Sequence, residues 1–299
     1  LNNNQELVDY LANRLVELGD SVPTNINESK ITNSNPLNDE ALFDFHKYPS
    51  DLFAEAGTKA PNRVGFSKVA SWLNSHSRNN HGRPLFVAMS ADLADSTNIS
   101  GFSKGRDGVE DLGMYDKHTN PDSPLMPQGI TEFANAGMMA GLSTVNFNED
   151  TLDDYNGFIG SFSTYGSFSY LKYGAIRLFS QLAQDSQMKV GKLLWVAGHS
   201  GPETAEDSRT HFGIFAPGVT QLFPDGHIIN LHPWEHNDVA PALAAALSTD
   251  VPIVALHLTR PAINVPDRKK LGIASHFDAS KGAYLIRDYD ERPHEGVII

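Results

Sequence analysis

The sequence contains no cysteine. That absence excludes a disulfide frame, a thiolate nucleophile and a cysteine-ligated zinc site. It fits a reducing compartment, and the expected location is cytoplasmic. Basic residues are scarce: 23 Lys and Arg against 36 Asp and Glu leave a net charge of -13. Such a surface repels polyanions, so neither nucleic-acid nor anionic-membrane binding is expected. A chain this acidic that handles phosphorylated substrates must gather its few Arg and His residues in one pocket. Long apolar runs are missing as well. None approaches the roughly 20 residues of a membrane span, and Leu1-Asn2-Asn3-Asn4 lacks the charge and apolar stretch of a signal peptide. The first residue is not Met, which predicts a fragment or processed product.

What is present is ample core material: 299 residues, 40% of them hydrophobic. Leu7, Val8, Leu11, Leu15 and Leu18 recur at helical spacing. A polar stretch from Asp20 to Pro61 then reads as an extended linker lying on something else. From Asn62 onward, apolar strand-like runs (Leu85–Met89, Leu193–Ala197, His227–Leu231, Val251–Leu258) alternate with segments of helical period at 62–73, 131–143, 168–183 and 235–248. That alternation predicts an α/β fold, a mostly parallel sheet with helices on both faces. The expected organisation is a helix plus linker over 1–60, an α/β domain over 61–280, and the start of a further domain over 281–299. Ligands of such sheets sit beyond the carboxyl ends of the strands. The loops after Met89, Ala197 and Leu258 therefore matter most.

Four stretches carry the chemistry. Ser90-Ala91-Asp92-Leu93 with Ser96 follows a strand, and taken alone is an Asx or Ser turn with a helix cap. Glu132, in Gly129-Ile130-Thr131-Glu132, opens a helix; it is either a first-turn carboxylate favoured by the helix dipole or, if buried, a group that holds a proton near neutrality. Phe162, Tyr165 and Phe168 are spaced by three, which suits a core-facing helical stripe or an aromatic wall for a flat heterocycle. The loop Gly198-His199-Ser200-Gly201-Pro202 through Asp207 and His211 is more polar than a connector needs. Two decoys fail. The serine-hydrolase elbow G-x-S-x-G breaks at Pro202. In His232-Pro233-Trp234-Glu235-His236, the H-x-x-E-H zinc pattern needs both His on one helical face, and Pro233 belongs in a first helical turn, leaving His232 outside it.

In this order, the motifs resemble the pyrimidine-binding domain of the transketolase family. Ser90-Ala91-Asp92-Leu93 is similar to that family's S-A-D-L segment, Glu132 to the glutamate of its G-I/V-R-E segment, and Phe162, Tyr165 and Phe168 to its aromatic wall. Gly174-Ala175-Ile176-Arg177-Leu178 is similar to the helix that follows, Glu206-Asp207-Ser208-Arg209-Thr210-His211 to E-D-G-P-T-H, and Thr259-Arg260 to the S-R after the last strand. The likeness runs over roughly residues 5–299. It implies thiamine diphosphate as cofactor and transfer of a two-carbon ketol unit between sugar phosphates. Glu132 would hydrogen-bond the aminopyrimidine, with Asp92, Phe162, Tyr165 and Phe168 around the cofactor. His199 and His211 would assist catalysis and, with Asp207, contact the sugar. Arg63, Ser96 and Arg260 would complete a phosphate pocket, because Arg offers planar charged forks to phosphate.

The sequence departs from the family in ways that bear on substrate. Thr131 replaces an Arg, Phe133 a His, Ser208-Arg209 a Gly-Pro and Phe212 a Gln, and about three extra residues follow Phe168. The family's G-D-G motif, followed further on by N-N, is missing; Gly105-Arg106-Asp107-Gly108 is not one. The resemblance therefore implies that Mg2+ or Ca2+ and the cofactor's diphosphate are held by a diphosphate-binding domain or subunit outside this chain, in a homodimer or heterotetramer, and that the chain alone is inactive. The alternatives are the first component of a 2-oxoacid dehydrogenase, a deoxyxylulose-phosphate synthase, or a non-catalytic assembly module.

Overall fold

The computed structural model describes residues 4–21, 34–199, 208, 211 and 215–286. The chain divides into two compact units, Leu1–Thr32 and Asn33–Ile299. The first holds helix α1 (Gln5–Asp20), whose Leu7 amide donates to the Asn4 side chain at 3.0 Å, capping the helix start. Its Leu7, Leu11, Leu15 and Leu18 are exposed.

The second unit is built on a six-stranded sheet. In chain order its elements are β1 (Lys59–Ala60), α2 (Asn62–His81), β2 (Phe86–Ser90), β3 (Leu125–Met126), α3 (Glu132–Leu142), β4 (Ile159–Tyr165), α4 (Tyr173–Asp185), β5 (Leu193–Gly198), α5 (Phe215–Thr220), β6 (Ile228–Leu231), α6 (Val239–Leu247), β7 (Ile253–His257), β8 (Ile263–Asn264) and α7 (Arg268–Leu271). The sheet order is β3-β2-β4-β5-β7-β6, every pairing parallel. The short strands β1 and β8 pair antiparallel apart from it. This is the expected parallel α/β sheet.

Both sheet faces are covered, which explains why the strands read as unbroken apolar runs. On one face Phe86, Ala88, Leu194, Val196, Val254 and Leu256 pack with Phe66, Val69 and Leu73 of α2 and Leu243 and Leu247 of α6. On the other, Val87, Met89, Phe162, Trp195 and Ala255 pack with Ala136 and Met139 of α3 and Ile176 and Phe179 of α4. Adjacent strand residues fall on opposite faces, as the pleat requires. Gly160 makes the α3 contact possible, since a Cβ there would lie 2.4 Å from the Met139 carbonyl oxygen.

The stretch before α2 contributes to this core. Four 3-10 turns, at Pro36–Asn38, Glu40–Leu42, Phe45–Lys47 and Ser50–Leu52, bury Leu42 and Leu52 against the α2 face. Three expected elements differ in detail. Phe162 and Tyr165 lie on a strand, β4, because aromatic and β-branched residues suit a pleated surface. The expected 168–183 helix begins as a 3-10 helix, Gly166–Lys172, and turns α-helical at Tyr173; its Gly and Ser residues favour turn geometry. The expected 235–248 helix likewise opens as a 3-10 turn, His236–Asp238.

The chain leaves β2 toward β3 and then returns to β4 on the other side of β2. The sheet order therefore reverses between β2 and β4. A crevice opens at the carboxyl ends of two such strands, because their outgoing connections depart in opposite directions. The carboxyl ends in question are Ser90 and Tyr165, with Ser90 in register with Ser163.

Candidate active site

Glu132 is the first residue of α3 and is only 6% exposed. Its Oε1 accepts a hydrogen bond from the Thr164 hydroxyl at 3.1 Å. Thr164 is fully buried on β4, opposite Ala197 of β5. The carboxyl group thus sits under the helix start and against the strand end, not in solvent.

On the other face of β4, Ser163 joins β2 through a chain of hydroxyls. Ser163 donates to Ser90 Oγ at 2.8 Å, and Thr97 and Ser163 share a hydrogen bond of 2.7 Å. Thr97 also donates to the Leu93 carbonyl at 2.8 Å. These bonds pin the Ser90–Ser96 loop to the strand ends. The loop is held tightly enough to keep Asp92 at φ 57°, a left-handed conformation that non-glycine residues adopt at a cost. His199, at the end of β5, is held likewise at φ 56°. Both strained residues belong to the candidate site.

Around this rim the structure brings most of the expected residues together. Asp92, Ser96, Met126, Gln128, Gly129 and Tyr165 line a cavity of about 740 Å3. Tyr165 lies 4.3 Å from the His199 ring and edge-on to His211 at 5.1 Å; Phe168 meets His211 edge-on at 5.7 Å. Arg63, near the start of α2, donates from Nη1 to the Ser96 carbonyl at 2.8 Å and bonds His199 Nε2. Asn62 anchors that helix start: its Nδ2 donates to the Pro233 carbonyl, and its Oδ1 accepts from the Thr259 amide at 2.8 Å, holding the loop that carries Arg260. Burial, and then the nearby Arg260 charge, push the Arg63 pKa below its usual range. Like charges so placed each disfavour the other's charged form.

Two expected residues stand apart. Phe162 has no exposed surface; it is packed under the sheet with Trp195, its ring centroid 6.3 Å away. Asp207 lies outside the described residues. A larger depression, about 940 Å3, lies at the amino ends of β5 and β7 among Leu37, Phe43, Tyr155, Lys192 and Thr249. Of its two lysines, Lys189 and Lys192, the latter donates to the backbone carbonyls of Thr249 and Val251.

One side chain in the site escaped sequence reasoning. Lys172, the last residue of the 3-10 helix before α4, is fully buried. Its Nζ has no hydrogen-bond partner and stands 4.6 Å from the centroid of the Phe162 ring. Burial drives its pKa well below the ordinary lysine value, while Glu132 opposes that fall. The signal was the run of extra residues after Phe168, which places a lysine between Leu171 and Tyr173.

Tyr165, which lines the cavity, and the buried Glu132 are linked through Thr164, the residue before Tyr165. The buried Arg63 Nε has no hydrogen-bond partner.

No protein-family model and no curated protein sequence matches the chain. Solved transketolases match its structure. The Pichia stipitis transketolase complexed with sedoheptulose-7-phosphate is 20% identical, with a TM-score of 0.58 over 86% of this chain and 33% of that one. The Campylobacter jejuni transketolase is 20% identical, with a TM-score of 0.52 over 76% of this chain and 30% of that one. The fold is thus transketolase-like. The chain spans about a third of the length of the transketolases it matches.

Proposed function

We propose that this chain is the pyrimidine-binding portion of a transketolase-type enzyme, transferring a two-carbon ketol unit between sugar phosphates. One observation carries the reading: a buried carboxyl group, Glu132, is tied through Thr164 to the strand end where Tyr165 opens into a cavity at the sheet's reversal point. Thiamine diphosphate, when bound, supplies the nucleophilic carbon and electron sink that ketol transfer requires. The cofactor's diphosphate and its Mg2+ or Ca2+ fall to a diphosphate-binding domain or subunit outside this chain, a partner that the transketolase-like fold and the missing G-D-G motif favour together.

Each residue then has a task. Glu132 holds a proton at the ring nitrogen of the aminopyrimidine, shielded from water by its burial. Tyr165 gives the ring a flat neighbour, with Phe168 behind it. Asp92 faces the cavity beside them. Arg63, Ser96 and Arg260 grip the substrate's phosphate, and His199 and His211, with Asp207, order the sugar hydroxyls.

Reconstitution tests this. The chain mixed with a diphosphate-binding domain, thiamine diphosphate and Mg2+ is expected to transfer ketol units from xylulose 5-phosphate, while the chain alone is inactive. Glu132→Gln, with an unchanged circular dichroism spectrum, is expected to lose about 100-fold or more in rate. Wild-type rates in that variant reject the mechanism. Turnover of pyruvate but not of the ketose phosphate rejects the substrate class.

A further inference from the structure

We propose that Lys172 is a positioning residue that acts through Glu132: its buried amino group is the counter-charge of the Glu132 carboxyl group, and the pair together stores the proton offered at the site. The assignment rests on the proposed function only for what that proton does.

The geometry supports the pairing. A fully buried amine without a hydrogen bond is costly, so something else must compensate Lys172. One compensation is the face of Phe162, 4.6 Å below Nζ, a cation–π contact. The other is Glu132. Phe162 and Thr164 project from the same face of β4, about 7 Å apart along the strand. Thr164 holds the Glu132 carboxyl group and Phe162 underlies the lysine, so the two buried groups lie over the same face of β4. Asn135, one turn along α3 from Glu132, is also fully buried, with both side-chain polar atoms unpartnered. Among the described residues, the lysine's own 3-10 helix carries Tyr170, and the elements packed against it bring Glu132 on α3, Tyr165 on β4, and Tyr173, Arg177 and Asp185 on α4. Of these, Glu132 is the group whose charge acts on the lysine. A neighbouring ammonium favours the charged form of a carboxylate.

The test uses the full chain without cofactor. The Glu132 carboxyl carbon is titrated by NMR in the wild type, in Lys172→Met and in Lys172→Arg. Loss of the positive charge in Lys172→Met is expected to raise the Glu132 midpoint by about one pH unit or more. Lys172→Arg, which keeps the charge, is expected to restore it. An unchanged midpoint in folded Lys172→Met overturns the proposal. Should Lys172→Met fail to fold, Glu132→Gln gives the reciprocal reading. The Lys172 amine is then expected to titrate lower, and an unmoved amine overturns the pairing. In the reconstituted enzyme, the acid limb of the rate–pH profile moves upward in Lys172→Met. Calorimetry with thiamine diphosphate and the partner domain is read separately: no uptake strikes the proposed function, while the titration alone decides the pairing.

Discussion

The Thr164 hydroxyl donates to Oε1 of Glu132 at 3.1 Å, joining the end of β4 to the first residue of α3. Among the described residues it is the one hydrogen bond made by that carboxyl group. Thr164→Val keeps the shape and removes the donor, leaving a buried acceptor unpaired. The expected loss is about 1–3 kcal/mol of stability by urea denaturation, with Thr164→Ser recovering most of it. Equal midpoints for the Val and Ser variants would show that the carboxyl group finds water or another donor.

Arg63 connects three parts of the rim: its own helix start, the Ser96 carbonyl and the His199 ring. Arg63→Met is expected to raise KM for a phosphorylated ketose at least tenfold in the reconstituted enzyme, about 1.4 kcal/mol, with kcat less affected. An unphosphorylated ketose should show little change. Equal effects on both substrates would remove Arg63 from the phosphate pocket and leave it a scaffold for His199.

The sheet and its flanking helices were legible because strands buried on both faces are apolar at every position, as in Leu193-Leu194-Trp195-Val196-Ala197. Strand β4 was not. Its Ser161, Ser163 and Thr164 interrupt the apolar pattern, since those hydroxyls spend themselves on neighbours inside the sheet: Leu194, Ser90 and Glu132. The rim residues were legible as chemical types, but their meeting depends on contacts between loops far apart in sequence, such as Arg63 with His199. Lys172 was the least legible, because an isolated lysine in a sequence is read as exposed, and only packing against Phe162 reveals its burial.

A second buried charge network ties residues after β8 to the turn that opens α6. Arg268 Nη2 donates to Glu235 Oε1 at 2.8 Å and to Asp238 Oδ1 at 2.7 Å, and Tyr284 donates to Asp238 Oδ2 at 2.7 Å. Burial pushes the Asp238 carboxyl pKa up, against the opposing pull of Tyr284 and Arg268. Arg268→Met leaves two buried carboxyl groups facing each other without a cation. The expected cost is about 3–5 kcal/mol, read as a lower urea midpoint. A loss under about 1 kcal/mol would show that the network is solvated in solution.

His257, the last residue of β7, is buried and stacks on His232 with ring centroids 4.2 Å apart. Its Nε2 reaches Asn230 Oδ1 at 3.3 Å, a bond that the neutral imidazole makes as donor. Burial, and then the neighbouring His232, push its pKa down to about 3. The unfolded chain binds a proton at this histidine near pH 6.5, well before the native state does. Unfolding therefore takes up a proton between those values, and stability falls as pH is lowered through that window. The contribution is fully present above about pH 6.5 and erodes toward pH 3, with a slope of roughly 1 kcal/mol per pH unit. His257→Gln keeps a neutral donor for Asn230 and removes the titration. Its urea-unfolding free energy should then vary less steeply than wild type between about pH 6 and pH 4. Parallel slopes for the two proteins would mean that His257 is already protonated, or reached by water, in the native state.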